Sequence, residues 1–304
     1  MKLKTVAIAL VLLVLSGCLA TYGGKDPASA EGQLVSYRYT YEGDANRTTQ
    51  AVYRKPIVRT QDKAVQDKQF PAVIVLHDGG GWSTERTRQY GDLFTQNGYA
   101  TLEPRLFIDD KVPRNYMMDV ASVYGALGDL ASRPEIDKGR IYVLGMSAGA
   151  MTSMLAKTQM ADAAYNKSGV HFKAFAALYP VCWIFLDTLE AKPPKFFASF
   201  TPKDMQAWLP APIKIFIPEF DDYENKDSKV CSTFIDRIAD TKARDSFSLV
   251  TYQGATHGWD HGRTYSFFTS AACKGKGCVN NNVSNPAVTK QGYQDVLNFL
   301  EANR

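Results

Sequence analysis

The sequence is poor in the features that metal sites, nucleic-acid interfaces and membrane spans require. It has only four histidines and five cysteines, and no two cysteines are spaced as C-x-x-C. We therefore expect no bound metal, and we expect no cofactor. The formal net charge is only +4, and the basic residues form no cluster with interleaved aromatic residues, which argues against a nucleic-acid partner. The apolar run from Val6 to Leu15 is too short to span a bilayer.

The N-terminal segment has the features of a targeting sequence instead. Lys2 and Lys4 precede the apolar run, and Leu15-Ser16-Gly17-Cys18 resembles a bacterial lipobox. The resemblance implies a signal peptide over residues 1–17, lipid attachment at Cys18, and a flexible tether over 18–32. Because Leu19 rather than aspartate follows the cysteine, we expect the outer membrane, facing the periplasm. The alternative is an ordinary secretory signal in which Cys18 has no role.

Both alternatives place the protein outside the cytoplasm, where disulfides form. Cys273 and Cys278 bound a short polar segment that contains glycine, and its ends can close on each other. Cys182 and Cys231 would then remain to pair, which the sequence alone does not prove.

The remainder alternates strand-like and helix-like segments, at an ordinary globular composition of 22% charged and 45% hydrophobic residues. The pattern predicts one α/β domain over 33–304, with an N-terminal antiparallel hairpin and a mostly parallel central sheet covered by helices on both faces. The proline- and aromatic-rich stretch around 187–210 is predicted to be a cap-like excursion over the carboxyl edge of the sheet. Further strands are predicted at Phe70–Leu76, Tyr99–Pro104, Arg140–Leu144, Val170–Val181, Ala211–Pro218 and Phe247–Tyr252, and helices at Glu85–Asn97, Met117–Ser132, Ser228–Ala243 and Val288–Ala302.

The segment Gly145-Met146-Ser147-Ala148-Gly149 fits the G-x-S-x-G pattern of a nucleophile elbow. A strand-like run precedes it and good helix formers follow it, which is the context such a turn requires. Ser147 would then present its hydroxyl above the sheet at the start of a helix, where N–H groups favour developing negative charge.

A serine nucleophile needs a base and a group that orients the base. His257 lies directly after the last predicted strand, and the preceding strand ends in Pro218-Glu219-Phe220-Asp221-Asp222. We therefore predict Ser147 as nucleophile, His257 as general base and Asp221 as the acid, in the chain order of α/β-hydrolases. Asp222 remains an alternative, because neighbouring loop residues point in different directions and only one can reach the imidazole.

The predicted oxyanion hole has two backbone donors. The N–H of Ala148 follows the nucleophile, and the second donor is expected in His77-Asp78-Gly79-Gly80-Gly81, which follows an early strand as an HGGG-type segment does. Gly79 is the preferred donor, because a backbone without Cβ allows close approach of the substrate.

These segments together, with Tyr252 to Trp259, resemble the dienelactone hydrolase family of α/β-hydrolases. In that family the acid closes a G-x-x-D segment, so the role falls on Asp221 although Pro218 replaces the glycine. The family also carries cysteines at the positions of Cys182 and Cys231, which supports pairing them.

This sequence departs from the family in two ways. The namesake enzymes use a cysteine nucleophile, whereas this chain has Ser147, and they place an arginine shortly after the histidine, where this chain has Asp260, His261 and Arg263. The resemblance therefore supports the chemistry better than the substrate.

The predicted function is hydrolysis of a small-molecule carboxylic ester through an acyl-enzyme. The alternatives are a peptidase or acyltransferase with the same triad, or a lipoprotein that keeps the fold as a non-catalytic binding module. Large side chains near the predicted loops are expected to line the substrate pocket, although packing in the core is an equal alternative for each: His77, Trp183, Trp208 and Trp259.

Overall fold

The computed structural model describes residues 32–57, 69–82, 84–106 and 115–304. The predicted signal peptide, Cys18 and the tether up to residue 31 lie outside these residues. Within them, no helix is both long and apolar enough to cross a membrane.

An eight-stranded sheet organises the chain, in the order β1-β2-β4-β3-β5-β6-β7-β8. The pairs β1–β2 and β2–β4 are antiparallel and every other pair in this sheet is parallel, as the sequence predicts. The strands are β1 Gln33–Tyr41, β2 Asp44–Arg54, β3 Phe70–Leu76, β4 Ala100–Pro104, β5 Ile136–Met146, β6 Ala174–Leu178, β7 Ile213–Phe220 and β8 Phe247–Thr256, with β9 Tyr265–Thr269 and β10 Cys278–Asn282 in a separate hairpin.

Helices cover both faces of this sheet, again as predicted. On one face Val73 and Val75 of β3 join a buried cluster with α1 and α9, and on the other Ile74 and Leu76 pack in a cluster with α2, α3 and α5. The alternation follows from the period-2 geometry of a strand that is buried on both sides. The helices are α1 Glu85–Gln96, α2 Tyr116–Ser132, α3 Ala148–Ala156, α4 Gln159–Tyr165, α5 Cys182–Leu189, α6 Val230–Asp236, α7 Thr241–Asp245, α8 Ala272–Gly275 and α9 Pro286–Ala302.

The order of the strands determines where a site can form. The chain leaves β3 for β4 on one side, and after α2 it returns to β5 on the other side of β3. This reversal is a topological switch point, where α/β sheets bind ligands beyond the carboxyl ends of their strands.

Several predicted boundaries were wrong. The strand expected over Val170–Val181 is only Ala174–Leu178, because α5 begins at Cys182. The helix expected over Ser228–Ala243 divides into α6 and α7, and the side chain of Asp240 caps the second by accepting from the Lys242 N–H at 3.0 Å. The β9–β10 hairpin was not predicted at all.

The excursion around 187–210 is not a cap over the carboxyl edge along its whole length. Phe197 packs on Tyr116, at the start of α2, with ring centroids 5.5 Å apart. Trp208 instead packs on Phe247, the first residue of β8, at 5.1 Å. The excursion therefore ends at the amino edge of the sheet, opposite the predicted site.

The described part of the chain contains two disulfides, Cys182–Cys231 and Cys273–Cys278. Both pairings agree with those favoured by the sequence and the family resemblance.

Candidate active site

Ser147 occupies a strained turn between β5 and α3. Its backbone has φ 50° and ψ −111°, a conformation that a non-glycine residue adopts only when its surroundings enforce it. Its N–H donates to the carbonyl of Leu178 at 2.9 Å, which ties the turn to the end of β6. The pattern glycines are required sterically, because a Cβ on Gly145 would lie 2.1 Å from the Gly149 carbonyl oxygen and a Cβ on Gly149 would lie 2.4 Å from that of Leu76.

The structure brings Ser147, His257 and Asp221 into one hydrogen-bonded chain. His257 Nε2 lies 2.9 Å from Ser147 Oγ, and its Nδ1 lies 2.9 Å from Asp221 Oδ2. The carboxylate accepts from Nδ1–H, which leaves Nε2 unprotonated and able to accept the serine proton. His257 and Asp221 are both almost fully buried, so the chain has the geometry that a serine nucleophile, its base and an orienting acid require.

Asp222 points away from the imidazole and binds the β9–β10 hairpin. Its Oδ2 accepts from the backbone N–H of Asn281 at 2.8 Å and from the side-chain amide of the same residue at 2.9 Å. Asp221 uses its second oxygen to accept from the N–H of Tyr223 at 2.9 Å. The two neighbouring carboxylates therefore hold different parts of the site.

The two predicted oxyanion donors belong to segments that follow neighbouring strands, β3 and β5. Leu76 at the end of β3 pairs with Gly145 at the end of β5, so the loop that contains Gly79 begins against the elbow. Ala148 is the first residue of α3, and an N–H at that position has no acceptor within its own helix. The side chain of Asp78 shapes the glycine loop by accepting from the Gly80 N–H at 3.0 Å.

His77 stabilises this loop through both of its ring nitrogens. The N–H of Leu106 donates to its Nε2 at 3.1 Å, so its Nδ1 carries the proton and donates to the Asp78 carbonyl at 2.7 Å. The side chain is fully buried. The ring therefore supports the backbone that carries Gly79, and the contact of His77 with substrate stays a prediction.

The predicted tryptophans are packed side chains. Trp208 lies at the amino edge of the sheet, which excludes it from the site, and Trp259 is fully buried against Tyr179 and Tyr252. Trp183 is 5% exposed and donates from Nε1 to the Ala271 carbonyl at 3.2 Å. Aromatic content alone did not show which edge of the sheet these residues occupy.

Two tyrosines that were not predicted enclose the imidazole. The ring of Tyr223 lies 4.4 Å from that of His257, and the ring of Tyr179 packs edge-on against it at 5.0 Å. Burial raises the pKa of Tyr223 to about 12, so its hydroxyl remains protonated at neutral pH. Tyr179 directly follows β6 and Tyr223 lies in the acid loop, and both positions could have been found by searching the carboxyl ends of the strands.

Among the residues that the structure describes, one group of side chains has the spacing of metal ligands, namely Cys182, Cys231 and Glu224. The two sulfurs are bonded to each other, so neither is the thiolate that a metal needs. Glu224 is used elsewhere, because its carboxylate accepts from the N–H groups of Cys182 and Trp183 at the start of α5. Burial, followed by the charge of Asp221, raises the pKa of Glu224 well above its usual value.

Solved structures with similar coordinates establish the class of fold. The apo form of Thermogutta terrifontis esterase 2 has a TM-score of 0.61 and 15% identity, covering 90% of this chain and 95% of that one. The chain has an α/β-hydrolase fold. The same esterase phosphonylated by cyclosarin gives 0.60 at 16% identity, covering 91% and 95%. Porphyromonas gingivalis dipeptidyl peptidase 4 gives 0.55 at 13% identity, covering 90% of this chain and 35% of that one.

Comparison of the sequence adds a partial family match. Residues 61–182 match the BD-FAE family, which is of the α/β-hydrolase type. The matched segment is shorter than half of the chain. It includes the glycine loop and Ser147 and ends before Asp221 and His257. No curated protein matches the sequence.

Proposed function

We propose that this protein hydrolyses carboxylic esters through an acyl-enzyme on Ser147. The observation that carries the proposal is the hydrogen-bonded chain from Ser147 Oγ through His257 to Asp221, with both contacts at 2.9 Å. The esterase fold of the similar structures is consistent with this chemistry. A binding module that had lost turnover would have no need for a strained serine aligned with a base.

In the first half-reaction Ser147 Oγ attacks the ester carbonyl carbon while His257 Nε2 takes the serine proton. The carbonyl oxygen becomes an oxyanion, which accepts hydrogen bonds from the N–H groups of Ala148 and Gly79. Collapse of the tetrahedral intermediate breaks the bond to the alcohol, and Nε2 returns the proton to the departing oxygen. Asp221 keeps the imidazole in the required tautomer and stabilises its positive charge.

The second half-reaction regenerates the enzyme. Water gives a proton to His257 Nε2 and attacks the acyl carbon, and a second oxyanion forms in the same place. Its collapse releases the carboxylic acid as Ser147 recovers its proton. The proposed likeness to dienelactone hydrolases is limited to this sequence of steps, because Ser147 stands where the namesake enzymes have a cysteine nucleophile.

A fluorescent fluorophosphonate tests the nucleophile directly. The wild-type protein should be labelled and should hydrolyse p-nitrophenyl esters, whereas Ser147→Ala should do neither while keeping its thermal stability. Ser153→Ala is a matched control, since Ser153 is a buried serine of α3 whose hydroxyl lies 3.4 Å from the Ala176 carbonyl oxygen. A folded wild-type protein that neither labels nor hydrolyses any ester would refute the proposal.

The same preparation separates the rival reactions. A peptidase would cleave p-nitroanilides at a rate comparable with esters, and an acyltransferase would yield a new ester when an alcohol is added. We expect ester hydrolysis to exceed both.

We also propose that the mature protein is held at the outer membrane by lipid on Cys18. The chain enters the described fold at Gln33, which pairs with Tyr53 beside the Arg54–Thr101 pair. This is the amino edge of the sheet, opposite Ser147, so a tether there would leave the site facing away from the bilayer. Cys18→Ser should release the protein from the detergent phase of a Triton X-114 partition, and continued partition of that variant into detergent would contradict lipidation.

A further inference from the structure

A buried arginine lies between the two loops that flank Ser147. Arg86, in the first turn of α1, is 4% exposed. Its guanidinium pairs with Asp78 in the glycine loop, lies 3.8 Å from Asp260 in the loop after His257, and donates to the Tyr179 hydroxyl at 3.2 Å. The ester hydrolysis described above gives this side chain no chemical step.

Each carboxylate that Arg86 contacts fixes one of the loops. Asp78 accepts from the N–H of Gly80 through its side chain and from that of Gly81 through its carbonyl, at 3.0 and 3.2 Å. These bonds set the path of the backbone that carries Gly79. Asp260 follows His257 by three residues and accepts from the hydroxyls of Tyr90 and Tyr179 at 2.9 and 2.8 Å.

Tyr179 connects this network to the reacting groups. Its ring packs against the imidazole of His257, and its φ is +42°. The residue before it, Leu178, accepts the N–H of Ser147. Burial and then Asp260 raise the pKa of Tyr179 well above its usual value, so the hydroxyl remains a donor.

The charges show why the arginine is needed. Asp78 and Asp260 are both buried, and removal of a buried cation that faces two carboxylates leaves an uncompensated charge. A second side chain of basic type, His261, lies beside Asp78 with its Nε2 3.6 Å away. Burial, Arg86 and His257 lower the pKa of His261 to about 2, so this imidazole is neutral.

We propose that Arg86 is a positioning residue that couples the two halves of the site, holding the Gly79 loop and the His257 loop in one frame around Ser147 through Asp78 and Asp260. The inference rests on the proposed ester hydrolysis. Arginine suits this role and lysine does not, because its planar fork can pair with two carboxylates at once.

The test compares Arg86→Lys with Arg88→Lys. Both changes keep the charge on α1, but Arg88 is exposed and lies 3.6 Å from Asp92 at the surface. The concentration of active sites is measured by fluorophosphonate titration and used to calculate kcat, so that unfolded protein does not lower the value. We expect Arg86→Lys to lower kcat about 100-fold with KM within about twofold, since a misplacement of 1 Å can cost that much. Arg88→Lys should match wild type.

A transition-state analogue supplies a readout that a merely structural role would not change. An arylboronic acid places an anionic oxygen where the oxyanion would form, so its inhibition constant should rise in Arg86→Lys by the same factor as kcat/KM falls. A variant that was only less stable would have fewer active sites with an unchanged inhibition constant.

The coupling itself is tested by Asp78→Asn, Asp260→Asn and the double variant. Because both carboxylates act through the same guanidinium, the double variant should lose less activity than the product of the two single losses. Losses that multiply, or an unchanged kcat in Arg86→Lys, would overturn the inference while the hydrolase proposal stands. Absence of Ser147-dependent labelling and turnover in wild type would instead reject the hydrolase proposal, and this inference with it.

Discussion

Asn281 in β10 holds Asp222 with both its backbone N–H and its side-chain amide, at 2.8 and 2.9 Å. The neighbouring Asp221 meets His257 at 2.9 Å. One carboxylate thus anchors the β9–β10 hairpin and the other orients the base, although they are adjacent in sequence.

This division of roles predicts different effects for two matched substitutions. Asp221→Asn should lower kcat by about 10⁴-fold with little loss of stability, because the amide stabilises the wrong tautomer of the imidazole. Asp222→Asn should keep kcat within about tenfold of wild type and lower the free energy of unfolding by about 1–3 kcal/mol, because one strong acceptor is lost from a buried position. Steady-state kinetics and urea unfolding distinguish the two variants. A larger loss of kcat in Asp222→Asn than in Asp221→Asn would show that Asp222, and not Asp221, is the acid.

The position of the site could be predicted because it depends on short-range patterns. Ser147, Asp221 and His257 each follow a strand that its apolar residues reveal, and parallel strands bring their carboxyl ends to one edge. The residues alone left Asp222 as an alternative to Asp221, since the contact that holds Asp222 comes from Asn281, which lies 59 positions beyond it. Contacts of that kind are set by packing between distant segments.

The β9–β10 hairpin escaped prediction for a related reason. Its second strand, Cys278–Asn282, contains three asparagines, a residue that is depleted in strands. The pairing is supported by docking instead, through Asn281 to Asp222 and through the N–H of Val283 to the Thr256 hydroxyl at 2.8 Å. The strand preferences of the individual residues therefore do not predict this hairpin.

The elbow glycines yield a prediction about stability. Gly149→Ala should destabilise the protein by more than about 3 kcal/mol. The added Cβ would lie 2.4 and 2.5 Å from the carbonyl oxygens of Leu76 and His77, and these backbone atoms cannot move aside without disturbing the end of β3. Gly128→Ala is the control, because that glycine lies within α2 and the nearest atom to its Cβ is 3.9 Å away. There the change should stabilise by about 0.5–1 kcal/mol. Urea unfolding measures both, and equal midpoints would contradict the steric account of the turn.

The two disulfides should differ in what their removal costs. Cys182 and Cys231 are 49 positions apart, and Cys273 and Cys278 only five. On the chain-entropy account, replacing the first pair by alanine should cost about 4 kcal/mol of stability and the second about 2 kcal/mol.

The effect on kcat should follow the opposite order, with the larger loss on removal of the short Cys273–Cys278 bridge. Cys273 and Lys274 both have φ +54°, and their N–H groups donate to the carbonyls of Asp222 and Tyr223 at 2.8 and 3.0 Å. Loss of the short bridge releases a strained segment that contacts the acid loop, so kcat should fall about tenfold, whereas loss of the long bridge should change kcat less. Calorimetry and active-site titration of the two double variants, below their melting temperatures, test both orders together.

Lys157, at the end of α3, predicts a pH dependence of stability. Its side chain is buried, with Nζ 2.8 Å from Ser246 Oγ and 4.7 Å from the Phe247 ring centroid. Burial lowers its pKa to about 7 in the folded protein. Between that value and the ordinary lysine value near 10.4, the unfolded chain binds a proton that the folded chain does not. The contribution of Lys157 to stability therefore rises with pH across this window, and below pH 7 the full cost of burying the charge is present.

The comparison with Lys157→Met isolates that contribution, because methionine keeps most of the apolar stem without a titrating group. The difference in unfolding free energy between wild type and variant should move in favour of wild type as pH rises from 7 to 9, by at most about 1.4 kcal/mol per pH unit. Other titrating groups are common to both proteins and cancel in the difference. Urea unfolding at pH 6, 7, 8 and 9 measures it, and a difference that stayed constant across these values would mean that the buried amine keeps its ordinary affinity for protons.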